Sequence, residues 1–91
     1  MPVYRIRTTP DFEADYIAWL KSGQRKVVAK IDALMDEIEQ QPRAGIGKPE
    51  QLRNIRPECW SRRITQKDRL VYHVQGDTVT FIQCRGHYSD K

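Results

Sequence analysis

The sequence predicts an α+β fold: an N-terminal strand, then an α-hairpin packed on one face of a mainly antiparallel β-sheet. Two adjacent segments carry apolar residues at helical spacing, Phe12, Tyr16, Trp19 and Leu20, then Val27, Ile31, Leu34, Met35 and Ile38. Three strand-like runs with short polar turns between them fill the C-terminal third, over 59–65, 69–75 and 78–88. At 91 residues the chain suits a single domain, 1–91, with room for one modest core.

Residues 3–9 alternate loosely, with Val3, Tyr4 and Ile6 among Arg5, Arg7 and Thr8, and suit a short opening strand. Thr9-Pro10-Asp11 then signals a helix start, with a hydroxyl cap, a proline in the first turn and acids at the positive end of the dipole. Ser22-Gly23 stops this helix, and Pro42 marks the end of the next. The two stripes are expected to place Trp19, Leu20, Val27, Ile31, Leu34 and Ile38 in the core. From Arg43 to Glu58 periodicity vanishes under Gly45, Gly47, Pro49 and Pro57, so one long connection is expected there. Helices on one face of the sheet leave the other face open for a site.

Lys and Arg number 16 against 12 Asp and Glu, a formal charge of +4. The cations concentrate over residues 43–69, while the acids cluster in the first half, so the molecule is charge-polarised and suits a polyanionic partner. The longest apolar run is Tyr16 to Leu20, too short to cross a membrane, and Met1 to Arg7 holds no apolar signal core, so a cytoplasmic protein is expected. Two cysteines, Cys59 and Cys84, and two histidines, His73 and His87, show no metal-ligand spacing, so neither a metal nor another cofactor is expected. The phosphate-binding Gly-x-x-x-x-Gly-Lys-Ser/Thr pattern does not occur around Gly47-Lys48.

Glu50 is the only acid between Glu39 and Glu58, and Lys48 and Arg53 flank it. A carboxylate among cations stays ionised and can accept a proton from a bound hydroxyl. Arg62 and Arg63 are adjacent on one strand and therefore point to opposite faces; one reaches the open face while the other needs a partner or solvent. Arg69, Arg85 and His87 converge only in some registers of the last hairpin. A two-residue turn, Gly76-Asp77, sets Val74 opposite Val79 and sends His87 to the other face from Arg69, unless a bulge at Gly86 corrects it. A three-residue turn gathers all three on one face. Pattern alone leaves both registers open.

Gly45-Ile-Gly-Lys-Pro-Glu50, Trp60-Ser-Arg-Arg-Ile64, Arg69-Leu-Val-Tyr72 and Cys84-Arg-Gly-His-Tyr88 together resemble the Txe/YoeB family of toxin ribonucleases, within the RelE-like superfamily of bacterial toxin–antitoxin systems. The four motifs stand in family order and span nearly the whole chain. The resemblance implies a RelE-like, microbial-RNase-like fold and an mRNA interferase that cuts mRNA in the ribosomal A site. It implies Glu50 as general base, Arg69 as the cation on the transition state, and His87 as general acid with Tyr88 beside it. Lys48, Arg53 and Arg63 match positions that hold RNA phosphates, and Arg62 and Arg85 join them as candidate RNA contacts. It further implies a cognate antitoxin of YefM/Phd type and is compatible with a homodimer. The chain departs from the family at Gly86, where an aromatic is common, and in extending through Ser89-Asp90-Lys91. Two other classes compete: a non-enzymatic superfamily toxin of the gyrase-poison type, which needs no Glu/Arg/His set, and a plain RNA-binding module resting on the cations alone.

Overall fold

The computed structural model describes residues 3–53 and 55–86. In chain order the elements are β1 (Arg5–Thr8), α1 (Pro10–Ser22), α2 (Arg25–Gln40), β2 (Glu50–Leu52), β3 (Glu58–Arg63), β4 (Arg69–Gln75) and β5 (Thr78–Gln83). They form one five-stranded sheet in the order β1-β5-β4-β3-β2. Only the β1–β5 pair is parallel; the other three pairs are antiparallel, as expected for a mainly antiparallel sheet.

Each helix has its own source of stability. At the start of α1 the Thr9 hydroxyl accepts from the Phe12 N–H at 3.1 Å, Pro10 occupies the first turn, and Asp11 and Glu13 face the positive end of the dipole. Gly23 closes α1 in the left-handed conformation, its N–H returning to the Leu20 carbonyl. Helix α2 lacks these devices: Gln24 makes no side-chain cap, and no acid lies in its first turn. Burial of Ile31, Leu34 and Ile38, each fully inaccessible, holds it instead.

Those three residues meet Phe12 and Trp19 of α1 and, from the sheet, Leu70, Tyr72, Val74, Val79 and Phe81 in one core. Leu20 is a correction: it is 53% exposed, because its position on the α1 circumference turns past the sheet, while Phe12 and Trp19 of the same helix are buried. The expected unbroken connection over 43–58 is also corrected. It contains β2, which pairs with β3 through Glu50↔Ser61, Gln51↔Trp60 and Leu52↔Cys59. Three residues are too few to show a period, so tertiary pairing decides this strand.

Alternation assigns the sheet faces. Leu70, Tyr72 and Val74 of β4 point to the helices, so Arg69, Val71 and His73 point to the face away from the helices, where Val71 is nonetheless fully buried. Register carries the assignment across the sheet: Arg63, Ser61 and Cys59 of β3 oppose Arg69, Val71 and His73, and Glu50 and Leu52 of β2 oppose Ser61 and Cys59.

Candidate active site on the open sheet face

The site is assembled by the order of three strands. Glu50, Ser61 and Val71 form one row across β2, β3 and β4, and Arg63 and Arg69 form a neighbouring row. Two strand spacings and two residues of rise separate the Glu50 and Arg69 backbones by about 12 Å. Glu50 and Arg63 are exposed, and Arg69 is half-buried. Among the described residues, the buried Nε of Arg69 has no hydrogen-bond partner. A buried guanidinium N–H without an acceptor is costly unless a ligand supplies one, and a phosphate oxygen is the matching acceptor.

The loop that delivers Lys48 and Glu50 is built on Arg62. This side chain is fully buried, and all five of its N–H groups are used. Nε donates to the Tyr72 hydroxyl at 3.1 Å; one terminal nitrogen donates to the Ile46 carbonyl at 3.0 Å and to the Glu37 carboxylate; the other donates to the carbonyls of Gln41 and Ala44 at 2.7 and 2.8 Å. The same Glu37 carboxylate accepts the Ile46 N–H at 2.8 Å, and the Tyr72 hydroxyl donates to the Pro42 carbonyl at 2.6 Å. Arg62 therefore cannot be an RNA contact, which corrects that expectation: its strand position sends it toward the helices, and it has no donor left for a phosphate. Arg63, one residue on, takes the open face.

Glycine is required where the loop crosses this hub. Gly47 has φ +80°, and a Cβ there would sit 2.9 Å from Leu34 Cδ2, while its carbonyl accepts the Arg63 N–H at 2.7 Å. The next residue, Lys48, also has positive φ, 51°, and is exposed. The loop thus turns tightly off the core, with Lys48 at its apex and Glu50 at the start of β2. Arg53, just beyond β2, is exposed and lines the same depression as Glu50.

The last hairpin settles its register in a way the pattern left open. The turn is two residues, Gly76-Asp77, with Val74 opposite Val79, but Tyr72 pairs with Phe81 while Val71 pairs with Gln83. Ile82 is the extra residue of a β-bulge, so the correction in register falls at Ile82 rather than at Gly86. The Ile82 carbonyl that the bulge frees from the ladder accepts the Thr9 hydroxyl at 2.8 Å, the same hydroxyl that caps α1. Beyond the bulge, Arg85 is exposed, and the Arg69 N–H donates to the Gly86 carbonyl at 3.0 Å. His87 and Tyr88 lie outside the described residues, as does the end of the strand expected over 78–88.

Several neighbours went unmarked by sequence reading. Asp68, in the turn before β4, accepts the Gly86 N–H at 2.7 Å, and Asp15 of α1 accepts the Cys84 N–H at 3.1 Å. Nothing in sequence spacing marks either pair, 18 and 69 residues apart. Both thiols are buried, which pushes Cys59 up to about 11 and Cys84 up to about 12, so neither is a nucleophile near neutral pH.

Two groups flanking this face govern acid stability. Burial holds His73 below its ordinary value near 6.5. The Arg43 guanidinium, bidentate on Glu58 at 2.7 and 3.0 Å, holds that carboxyl below its ordinary value near 4.5. In both cases the unfolded chain takes the proton more readily, so stability present at neutral pH is lost on acidification, first below about 6.5 and again below about 4.5. Melting temperature measured from pH 8 to pH 3 should fall in those two windows. His73→Gln should flatten the first and Glu58→Gln the second.

The sequence profile of the family described as "YoeB-like toxin of bacterial type II toxin-antitoxin system" matches residues 8–88. Toxin YoeB of Mycobacterium bovis is 43% identical over 83 residues, covering 91% of this chain and 96% of the relative. A solved YoeB/ParE toxin from Agrobacterium tumefaciens superposes with a TM-score of 0.85 at 38% identity, covering 92% of this chain and 99% of that one. The Staphylococcus aureus YoeB, solved as a dimer and in a YoeB–YefM complex, superposes with TM-scores of 0.79 and 0.77 at 34% identity, covering 93% of this chain and 98% of that one.

Proposed function

We propose, for a chain that belongs to the YoeB-like toxins of bacterial type II toxin–antitoxin systems, that it is an endoribonuclease acting on mRNA at the ribosome. The observation that carries the reading is the joint placement of Glu50, Arg63 and Arg69 on the sheet face away from the helices, with a buried Arg69 Nε that has no partner among the described residues. Transesterification of RNA needs a base for the 2′-hydroxyl, a cation for the phosphorane and an acid for the leaving 5′-oxygen. Glu50 takes the first role, Arg69 the second and His87 the third, with Tyr88 beside it. The 2′-oxygen attacks the adjacent phosphorus and the P–O5′ bond breaks. The proton taken by Glu50 is balanced by the one His87 delivers, and the product end is a 2′,3′-cyclic phosphate. No metal or other cofactor enters this scheme. A gyrase poison would have no use for this Glu/Arg/His set.

Lys48, Arg53, Arg63 and Arg85 hold the RNA backbone around that centre. Lys48→Ala and Arg53→Ala should weaken binding to mRNA-programmed ribosomes and lower the slope of log affinity against log salt by about one unit each. A titration from low to high potassium chloride reads this directly. An unchanged slope in both variants would remove these residues from the RNA contact.

In the cytoplasm a nuclease of this kind must be silenced, and the partner proposed is an antitoxin of YefM/Phd type with an acidic segment. It would fold over the basic face spanning residues 48–69. A YoeB–YefM complex is known for the Staphylococcus aureus relative, and the same toxin forms a dimer, so a homodimer is proposed here too. The deciding experiment adds the protein to a translation reaction and maps mRNA 5′ ends with and without ribosomes. New ends within the ribosome-covered codon support the reading, and intact mRNA overturns it.

A further inference from the structure

After the bulge at Ile82 the chain leaves the ladder, and β5 ends at Gln83. The next three residues nonetheless have almost every backbone polar group tied down. The Cys84 N–H goes to the Asp15 carboxylate at 3.1 Å, and the Cys84 carbonyl accepts the Trp19 indole N–H at 2.8 Å. The Gln83 side chain donates to the Arg85 carbonyl at 3.2 Å. The Gly86 N–H goes to the Asp68 carboxylate at 2.7 Å, and the Gly86 carbonyl accepts the Arg69 N–H at 3.0 Å.

Asp68 is itself held. Its second carboxylate oxygen accepts the Thr65 hydroxyl at 2.7 Å, and that hydroxyl accepts the N–H groups of Lys67 and Asp68 at 3.1 and 3.0 Å. The β3–β4 turn is thus a rigid bracket whose free carboxylate oxygen meets Gly86. Gly86 has φ +78° with open space where a Cβ would stand, so the chain changes direction there without crowding.

We infer that Asp68 is a positioning residue for the cleavage reaction: its clasp on the Gly86 N–H, beside the Arg69 N–H on the Gly86 carbonyl, fixes Gly86, the residue that precedes His87 in the chain. This rests on the reading of His87 as general acid. The clasp ties Gly86 to the turn that launches Arg69, so the chain just before the proposed acid shares a support with the cation. Misplacement of a reacting group by about 1 Å can cost on the order of a hundredfold in rate, and loss of one hydrogen bond at a chain reversal allows that much.

Three proteins are compared on mRNA-programmed ribosomes: the native chain, Asp68→Ala and Asp68→Asn, the last keeping one oxygen to accept the Gly86 N–H. Single-turnover cleavage at saturating protein is read alongside affinity. Asp68→Ala should cleave about 10- to 100-fold more slowly with affinity within about twofold, and its rate–pH profile should move as the acid loses its fixed surroundings. Asp68→Asn should recover to within about threefold of the native rate. Amide exchange by NMR supplies a measurement independent of activity: Asp68→Ala should lose protection at Gly86 while Leu70 and Tyr72 keep theirs, which also shows that it is folded. If it does not fold, Asp68→Asn and the native Gly86 protection carry the test.

An Asp68→Ala rate equal to native overturns the inference, and so does an Asn variant as slow as Ala. An unprotected Gly86 amide in the native chain overturns it as well. Absence of cleavage by the native protein overturns the nuclease reading itself, and the role of Asp68 falls with it.

Discussion

Glu50→Gln, Arg69→Ala and His87→Gln should each reduce mRNA cleavage by about 10²- to 10⁴-fold while the protein stays folded. Glu50 is exposed on a three-residue edge strand and makes no contact that the core depends on, so its amide should be silent in a melting experiment. Arg69 is half-buried with its Nε unpartnered among the described residues, so its removal takes away a ligand donor rather than an internal hydrogen bond. The test that separates catalysis from mere binding lies in the substrate. Replacing the 2′-hydroxyl at the cut site by hydrogen should abolish cleavage at that bond and leave binding intact, because the attacking nucleophile is gone. Cleavage of that substrate at the same bond would refute internal attack, and with it the roles given to Glu50 and His87. On pre-formed short RNA, chelator should leave the cleavage step unchanged; the ribosomal assay has to retain magnesium for the ribosome's sake.

The second large effect is on stability. Arg62→Leu should destabilise the fold by about 3–5 kcal/mol, since it strands a carboxylate, three carbonyls and a tyrosine hydroxyl around one emptied position. At roughly 4–8 °C per kcal/mol for a domain of this size, the melting temperature should fall by more than about 12 °C. Glu37→Gln keeps an oxygen for the Ile46 N–H and for Arg62, and should cost far less. The Arg62 variant that remains folded at low temperature should also bind RNA with an unchanged salt slope, in contrast to Lys48→Ala. A reduced slope would return Arg62 to the RNA surface, against its burial.

How much of this was legible in the chain itself differs from element to element. Helix α1 was readable because its signals are local: a threonine cap, a proline in the first turn and a glycine stop act within a few residues of where they stand. Helix α2 was readable for another reason, its apolar period, although its termini carry little capping. Strand β2 was not, because a three-residue edge strand exists only through the partner it pairs with. The bulge at Ile82 was not, because its cost is met by a hydroxyl from Thr9, distant in sequence.

The candidate site divides along the same line. The sequence by itself determined the fold class, the two helices and the set of residue types, including Glu50 and Arg69, because periodicity, caps and motif spacing are properties of neighbours along the chain. The tertiary structure alone decided which of two adjacent arginines serves the site. Strand parity separates Arg62 from Arg63, but only packing of α2 against β3 shows that the inward one meets five acceptors and the outward one meets solvent. It also decided the register that sets Val71 opposite Gln83 and the clasp of Asp68 on Gly86. Those contacts join residues far apart in the chain, and their energy depends on distances that exist only once the sheet has closed.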